Sequence, residues 1–241
     1  MFGSINVADA AVAAGAAGMV MISTDKAIEP ISMLGATKRF AEMYCHALDA
    51  DFTARATDRP PMRLIAVRFG NVLASNGSVV PKFKAQIEAG GPVTVTHPDM
   101  VRYFMDIREA CDLVVTAASH ALAPQRSDVS VYVLNMGQPV RIVDLAERMI
   151  RLYGLEPGKD IEIVFTGIRP GERLKEIEFA ADEPSSDIGI AGIREARPAS
   201  PSLDTLRAWL AALEQGLRRN DREAIYRALQ DAVPGFRKEA V

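Results

Sequence analysis

The chain has 241 residues, of which 49% are hydrophobic and 24% charged, and its formal net charge is −3. This balance is that of an ordinary globular protein, so it excludes a largely disordered chain. Positive and negative residues are interspersed, which leaves no extended basic face, and we expect no nucleic-acid partner.

Two further features indicate the compartment. Cys45 and Cys111 lie far apart and show no metal-ligand spacing, which predicts buried free thiols in a reducing environment. The longest apolar run, AAVAAGAAGMVMI, is too rich in alanine and glycine for a membrane span, and no basic segment of a secretory leader precedes it. We therefore expect a cytoplasmic protein.

The first seventy residues alternate between helical and strand-like patterns. Apolar residues recur at helical spacing over 4–14, a continuous apolar run occupies 19–22, and the helical pattern returns over 34–54. The stretch MRLIAVRFGNV then indicates a second buried strand. Helix, buried strand, helix and buried strand in this order predict a parallel α/β sheet.

The rest of the chain continues in shorter pieces. Three helices are predicted, within GSVVPKFKAQIEAGG, DIREACDLVVTAASHA and RIVDLAERMIRLYGL, and a short strand follows each of them. Residues 182–201 are polar and rich in proline and serine, which indicates a loop or linker. The last forty residues look like two helices, the first capped by Ser202.

A dinucleotide-binding sheet should open with a strand, a glycine-rich turn and a helix N-terminus that receives the pyrophosphate. The chain contains neither GxGxxG nor GxxGxxG. Its GAAG at 15–18 precedes a strand instead of following one, so a helix end and turn is the better interpretation.

The tetrapeptide STDK, residues 23–26, follows the first buried strand, where open α/β sheets place ligands and catalytic groups. A threonine hydroxyl, a carboxylate and an ammonium in a row can orient a hydroxylated substrate, protonate a leaving oxygen and remove a carbon-bound proton. The structural alternative is that Thr24 or Asp25 caps the next turn while Lys26 points to solvent.

Lys38 follows a dozen residues later in LGATK, at the start of a predicted helix. A strand-end Ser/Thr followed by a helical xGxxK resembles the short-chain dehydrogenase/reductase enzymes, in which a YxxxK pair supplies a phenolic proton carrier and a lysine. Lys38 matches the lysine of that pair. Leu34 stands where the tyrosine is expected.

Four ordered motifs make the resemblance specific: STDKAIEPISMLGATKRFAE, RFGNVLASNGSVVPKFKAQI, GGPVTVTHPDMVRYFMDIREA and GIRPGERLKEI. Over residues 2–179 the chain resembles the CapD-type polysaccharide-biosynthesis proteins, which are nucleoside-diphosphate-sugar 4,6-dehydratases of the extended short-chain dehydrogenase class. In one branch of that family an apolar residue replaces the tyrosine and TDK replaces TDE. Leu34 and Thr24-Asp25-Lys26 resemble that branch.

The resemblance implies a reaction in three steps: hydride passes from C4 of the sugar to NAD, water is eliminated across C5 and C6, and hydride returns to C6. The catalytic set it implies is Thr24, Asp25, Lys26 and Lys38. Asp25 would protonate the departing C6 hydroxyl, Lys26 would handle the C5 proton, and Thr24 would hydrogen-bond the C4 oxygen. Because Leu34 cannot be the base for the C4 hydroxyl, Lys26, Asp25 or a water takes that role.

Binding residues follow from the same resemblance. Contacts with NAD are expected from Ser23, Lys38, Phe69 and Gly70. Contacts with a nucleoside-diphosphate sugar, with UDP-GlcNAc the expected substrate, are assigned to Asn71, Ser78, Val79, Lys82, Arg102, Arg169 and Glu172.

Within that substrate set, Arg102 and Arg169 would bind the diphosphate, since guanidinium groups match phosphate oxygens. Glu172 would accept from the ribose hydroxyls. A surface ion pair is the alternative for each arginine. Tyr103 and Phe104 fit core positions better than base stacking.

We therefore expect an incomplete Rossmann-type parallel sheet, without N-terminal strands and glycine-rich loop, plus a smaller α/β substrate-binding part and C-terminal helices. The expected ranges are 1–78 for the C-terminal half of the NAD-binding domain, 79–180 for the interleaved sugar-binding part, 181–201 for the loop or linker, and 202–241 for the helices. MFGSIN at the start resembles the family's NVxGTxN, which suggests the C-terminal portion of a longer dehydratase. Full-length relatives are often anchored in the inner membrane.

Two alternatives to a dehydratase remain open. One is a nucleotide-sugar epimerase or reductase of the same superfamily, although the TDK triplet favours dehydration. The other is an inactive fragment that retains nucleotide-sugar binding. An incomplete parallel sheet leaves an unpaired strand at 19–24, so we also expect a homo-oligomer or association through that edge.

Overall fold

A computed structural model describes residues 1–55, 62–73, 75, 78–123, 128–233 and 235–236. Two compact units make up the chain. The first, here called the sheet unit, comprises Met1–Phe69, Leu113–Asn135 and Ile177–Val241, and the second, the cavity unit, comprises Gly70–Asp112 and Met136–Glu176.

Helices and strands alternate along the chain. The α-helices are α1 (Phe2–Ala13), α2 (Met33–Ala54), α3 (Val79–Glu88), α4 (Ile107–Ala121), α5 (Ile142–Leu152), α6 (Leu203–Arg218) and α7 (Arg222–Ala232). The strands are β1 (Gly18–Ile22), β2 (Arg63–Arg68), β3 (Asn71–Val72), β4 (Val93–Val95), β5 (Val101–Met105), β6 (Val131–Leu134), β7 (Pro139–Arg141), β8 (Ile163–Phe165), β9 (Ser185–Asp187) and β10 (Ile193–Ala196).

A five-stranded sheet in the order β1-β2-β6-β10-β9 is the centre of the sheet unit. β1, β2 and β6 are mutually parallel, while β10 pairs antiparallel with both β6 and β9. All six residues of β2 are buried, which explains why its sequence shows a continuous apolar run instead of an alternation.

One face of this sheet is covered by α1, α2, α6 and α7. The apolar core there includes Met21 of β1, Leu64 of β2 and Val131 of β6, packed with helical residues such as Phe40 and Leu206. Ser32 and Ser202 begin α2 and α6 by accepting hydrogen bonds from backbone N–H groups one turn later, as the sequence predicts for Ser202.

The cavity unit has two small sheets. Its three-stranded sheet has the order β3-β5-β7, and β4 pairs in parallel with β8. Helices α3 and α5 pack on β4 around a second apolar core that includes Phe83, Val93, Met100 and Ile150.

The structure corrects the expectation of a loop or linker over 181–201. This segment contributes β9 and β10, which extend the main sheet. Both strands are short and their residues largely polar, so they carry no apolar run that a sequence pattern could reveal. Backbone pairing of β10 with β6, and of β9 with β10, makes them strands. Leu113–Asn135 also lies in the sheet unit, inside the range expected for the sugar-binding part.

The prediction of buried thiols was right for Cys45 and wrong for Cys111, which is exposed on α4. Both cysteines are free. None of the helices in the described part of the chain has the length and apolar character that a membrane crossing requires.

β1 lies at the end of the sheet, with β2 as its strand neighbour among the described residues. Met19 and Met21 belong to the core face, so the alternation of a strand directs Val20 and Ile22 to the other face. The side chain of Ile22 is 45% exposed. Among the described residues β1 therefore presents an open backbone edge and one exposed apolar side chain, that of Ile22.

Candidate active site

Three of the four polar residues that follow β1, Thr24 to Lys26, form one hydrogen-bonded group in the sheet unit. The Thr24 hydroxyl donates to Oδ1 of Asp25 over 2.9 Å, and the Lys26 ammonium donates to the same oxygen over 2.8 Å. Thr24 also accepts from the Lys26 N–H and so caps a short 3₁₀ turn, Asp25–Ala27. The capping alternative is thus realised for Thr24, while Lys26 is turned toward Asp25.

Asp25 is a buried carboxylate with one oxygen left over. Its side chain is 0% exposed, and its Oδ2 has no hydrogen-bond partner among the residues that the structure describes. The backbone holds it at the end of β2, since Ser23 N–H donates to the Val67 carbonyl and Asp25 N–H to the Phe69 carbonyl, over 2.8 and 3.3 Å. A buried, partly satisfied carboxylate beside a lysine is suited to proton transfer.

Lys38 lies on α2 and reaches back to the end of β1. Its ammonium donates to the Ile22 carbonyl over 3.0 Å. Leu34 lies one turn earlier on the same helix with 59% of its surface exposed, and its side chain has no group that can carry a proton. The structure therefore places an apolar side chain at the position where the tyrosine is expected.

Beneath Lys38, one turn further along α2, Glu42 forms a buried ion pair with Arg68 of β2. Arg68 donates to both carboxylate oxygens of Glu42 over 2.9 and 2.8 Å, and Arg39 adds a contact of 3.2 Å. Burial alone would raise the pKa of Glu42, but the two guanidiniums outweigh it and lower that pKa. Glu42 is thus held as an anion.

All seven residues predicted to bind substrate line one cavity of about 550 Å³ in the cavity unit. They are Asn71, Ser78, Val79, Lys82, Arg102, Arg169 and Glu172. Gly70, predicted to contact the cofactor, lines the same cavity. This volume lies within the usual range for small-molecule sites, about 300–1,000 Å³.

Two of these residues differ in how the protein holds them. Arg102 is mostly buried, and its Nη1 donates to the carbonyls of Val101 and Arg173 over 2.7 and 2.9 Å. Arg169 is 64% exposed, with its Nη1 3.9 Å from Oε1 of Glu172. Arg102 Nε also lies 3.7 Å from Oε1 of Glu176, so both arginines have a carboxylate neighbour, and the pair of Arg169 is the one at the surface.

Two polar atoms in the cavity wall lack partners among the described residues. They are the Ser78 hydroxyl and Oε2 of Glu172, and both are buried. Ser78 immediately precedes α3 but makes no side-chain capping bond, so the positive N-terminal end of that helix also borders the cavity. A ligand with hydroxyl and phosphate groups would satisfy both atoms and this helix end.

The cavity wall also contains residues that the sequence does not predict there. Phe104, which the sequence assigns to the core, lines the cavity beside Arg102, whereas Tyr103 is buried as expected. Alternation along β5 was the available signal, because residues 102 and 104 share one face of a strand. That signal was missed because β5 itself was not predicted.

The residues expected to contact NAD fit one end of that cofactor. Ser23 is buried at the end of β1, where the Lys38 ammonium also lies, which suits the ribose and nicotinamide. The pyrophosphate needs a glycine-rich turn that leads from a strand into a helix. Gly15 instead ends α1 with φ of +67° and leads into β1, so this turn does not fit the pyrophosphate.

Comparison with known proteins gives a consistent family. The sequence pattern of a family described as "Polysaccharide biosynthesis protein" matches residues 1–196. Over 176 residues the chain is 52% identical to "Capsular polysaccharide biosynthesis protein CapD" of Staphylococcus aureus and to "Probable polysaccharide biosynthesis protein EpsC" of Bacillus subtilis. Each match covers 73% of this chain and 27% of the relative, so the chain spans about a quarter of their length.

More distant relatives carry another name. The "UDP-glucose 4-epimerase" of Rickettsia akari is 31% identical over 193 residues, which cover 80% of this chain and 52% of the relative.

Solved structures share the fold. The structure of Pen from Bacillus thuringiensis matches with a TM-score of 0.68 and 26% identity, over 88% of this chain and 67% of that one. DesIV, a dTDP-glucose 4,6-dehydratase of Streptomyces venezuelae with NAD bound, matches with a TM-score of 0.58 and 18% identity, over 75% of this chain and 56% of that one. The UDP-N-acetylglucosamine 4-epimerase of Methanobrevibacter ruminantium matches with a TM-score of 0.58 and 16% identity, over 76% of this chain and 60% of that one. The last two show the Rossmann-type fold of nucleotide-sugar dehydratases and epimerases.

Proposed function

The chain belongs to the polysaccharide biosynthesis protein family, and on that premise we propose that it is the proton-transferring and sugar-binding portion of a nucleotide-sugar 4,6-dehydratase. The observation that carries the proposal is the Thr24-Asp25-Lys26 group. A simple change of configuration at C4 does not need an acid at C6, whereas loss of water does. The buried Asp25 carboxylate beside a lysine supplies such an acid and base.

Each member of the group has a role in the elimination. Protonated Asp25 delivers its proton to the departing C6 hydroxyl through Oδ2, the oxygen without a partner among the described residues. Lys26, when neutral, takes the proton from C5. The hydrogen bond of 2.8 Å between Asp25 Oδ1 and the Lys26 ammonium then holds the resulting charges together.

The cavity supports a nucleoside diphosphate as the carrier of the sugar. Arg102, Arg169, Lys82 and the N-terminal end of α3 provide positive charge for the phosphates. Glu172 Oε2 accepts from the ribose hydroxyls, and the Ser78 hydroxyl bonds a phosphate oxygen. We propose UDP-GlcNAc as the substrate.

Full turnover needs more than these residues. Bound NAD would supply the hydride acceptor and donor, with Ser23, Lys38 and Phe69 at its nicotinamide end. We propose that the pyrophosphate site comes from a further segment, as the greater length of CapD and EpsC suggests. Nucleotide-sugar chemistry and two free thiols support a cytoplasmic reaction.

Because the pyrophosphate site is proposed to come from a further segment, the test uses this chain together with that segment, incubates it with UDP-GlcNAc and NAD, and follows the nucleotide sugar by mass spectrometry. A 4-keto-6-deoxy product, lighter by one water, is expected. In Asp25→Asn the dehydration rate should fall by about 10²-fold or more, because the general acid is lost. UDP binding by calorimetry should stay unchanged, since Asp25 lies in the sheet unit and the cavity residues do not.

The same experiment separates the other candidates. The similarity to UDP-glucose 4-epimerases favours an epimerase as the second candidate, and its product would have the mass of the substrate. An inactive fragment that retains binding would bind UDP without forming any product. If UDP does not bind, the cavity assignment is wrong.

A further inference from the structure

Arg68 joins three separate segments of the sheet unit at one guanidinium. Besides the Glu42 pair on α2, its Nη1 donates to both carboxylate oxygens of Glu183 over 2.9 and 2.8 Å. Glu183 lies just before β9, in the segment 180–184. The side chains of Arg68, Glu42 and Glu183 are all less than 5% exposed.

Each of the three segments leads to a residue of the candidate active site. On β2, the carbonyls of Val67 and Phe69 flank Arg68 and accept from the N–H groups of Ser23 and Asp25. On α2, Glu42 lies one turn after Lys38 on the same side of the helix. The guanidinium of Arg68 therefore connects β2, whose carbonyls hold the backbone of Asp25, with α2, which carries Lys38.

The segment that contains Glu183 also contacts the catalytic loop directly. The Ala181 N–H donates to the carboxylate of Glu29 over 3.2 Å. Glu29 follows the 3₁₀ turn of Asp25 and has φ of +40°, an unfavourable conformation for a residue with a side chain. The hydrogen bond from Ala181 thus holds the loop in a conformation that the backbone of Glu29 does not favour by itself.

Stability alone is a weak reason for such a cluster. Desolvation of buried charges offsets much of their attraction, and apolar residues of similar size often serve a core as well or better. Buried ionic clusters can instead hold elements in one defined arrangement, and that role suits a strand end that must present a carboxylate in a fixed direction.

We propose that Glu183 is a positioning residue for Asp25 and Lys26, acting through Arg68. Glu183 neutralises Arg68 from the side opposite Glu42 and so fixes the end of β2, whose carbonyls hold the loop 23–29. The segment 180–184 thereby forms part of the active-site support. The effect on catalysis rests on the proposed function, whereas the effect of Glu183 on the conformation of the loop 23–29 does not.

The test is hydrogen exchange, measured by mass spectrometry on peptides that cover residues 19–32, in the wild type and in Glu183→Gln. Exchange at Ser23 and Asp25 should rise by about tenfold because the end of β2 opens more often. Peptides from α6 and from the cavity unit should keep their rates. The matched control is Glu195→Gln, which removes another buried carboxylate of the same C-terminal region, one whose partner Arg197 is half exposed.

Glu183→Asp provides a second measurement. It keeps the negative charge and should therefore fold even if Glu183→Gln does not. It should raise exchange at the same residues by a smaller factor. Unchanged exchange over 19–32, or a rise spread evenly over the sheet unit, would overturn the proposal, as would the same local rise in Glu195→Gln. Hydrogen exchange is measured without substrate, so its result stands even if the dehydratase assay gives no product.

Discussion

At the scale of single residues, the two oxygens of Asp25 have different environments. Oδ1 accepts from Thr24 and Lys26, and Oδ2 is buried without a partner among the described residues. A carboxylate in this state can hold a neighbouring lysine and still pass a proton to a substrate. The order of residues in STDK predicts the chemistry, but side-chain rotamers decide which oxygen is free.

Lys82 should contribute to phosphate binding as an exposed cation in the cavity wall. We expect Lys82→Met to weaken UDP binding by about tenfold, with a larger loss at low salt because ions screen such contacts. Titration calorimetry at two salt concentrations measures this effect. Lys84→Met is the control, since Lys84 lies on the same helix but does not line the cavity and is paired with Glu88. Equal losses in both variants would contradict the assignment.

The two cysteines should react at very different rates. Burial is the main cause that raises the pKa of Cys45 to about 12, so its thiolate is scarce at neutral pH, while Cys111 is exposed. A chromogenic disulfide reagent should modify one thiol rapidly in the native protein and both after denaturation. Cys111→Ser should remove the rapid phase. A rapid phase that persists in this variant would show that Cys45 is accessible.

At the scale of elements, α2 begins in close contact with the catalytic turn. Gly35 is the residue of that contact, because a Cβ at position 35 would lie 2.1 Å from the Lys26 carbonyl oxygen and 2.9 Å from Cβ of Pro30. The glycine of xGxxK thus lets the helix that carries Lys38 approach the turn that carries Asp25.

Gly35→Ala should lower the free energy of unfolding by about 3 kcal/mol, since backbone atoms must move to admit the methyl group. Urea denaturation measures the change. The matched control is Gly3→Ala on α1, where no atom lies within 4 Å of the added Cβ and a gain of up to about 1 kcal/mol is expected. A similar effect in the two variants would contradict the role given to the close contact.

Elements with strong local patterns were predictable and elements made by pairing were not. The buried runs of β1 and β2 and the apolar face of α2 carry their own signal, and the sequence predicts all three. β10 has the sequence IREA and becomes a strand through its register with β6. The cavity lies between these extremes, because motif resemblance predicts seven of its residues but strand β5 was needed to find Phe104.

At the scale of the whole molecule, the edge at β1 is the feature with the clearest consequence for association. We expect the isolated chain to self-associate as its concentration rises, since β1 has no strand partner on its outer side among the described residues and exposes the apolar side chain of Ile22. Ile22→Lys should shift the chain toward the monomer, as charged residues protect natural sheet edges. Light scattering after size-exclusion chromatography measures the mass.

Leu152→Lys is the control for that variant. Leu152 is 84% exposed but belongs to helix α5 of the cavity unit and not to a strand. Its replacement should leave the mass unchanged. If both lysine variants reduce association equally, general surface hydrophobicity drives it and the edge does not.

The packing of α6 and α7 against α2 brings together parts of the chain that are synthesised far apart in time. Leu206 and Leu229 of these last helices share one core with Phe40 and Tyr44, which are synthesised about 160 to 190 residues earlier. Contacts so distant in sequence form late in folding, because a long loop must close first. We therefore expect that a chain ending before residue 203 leaves exposed the part of α2 that α6 and α7 cover in the complete core.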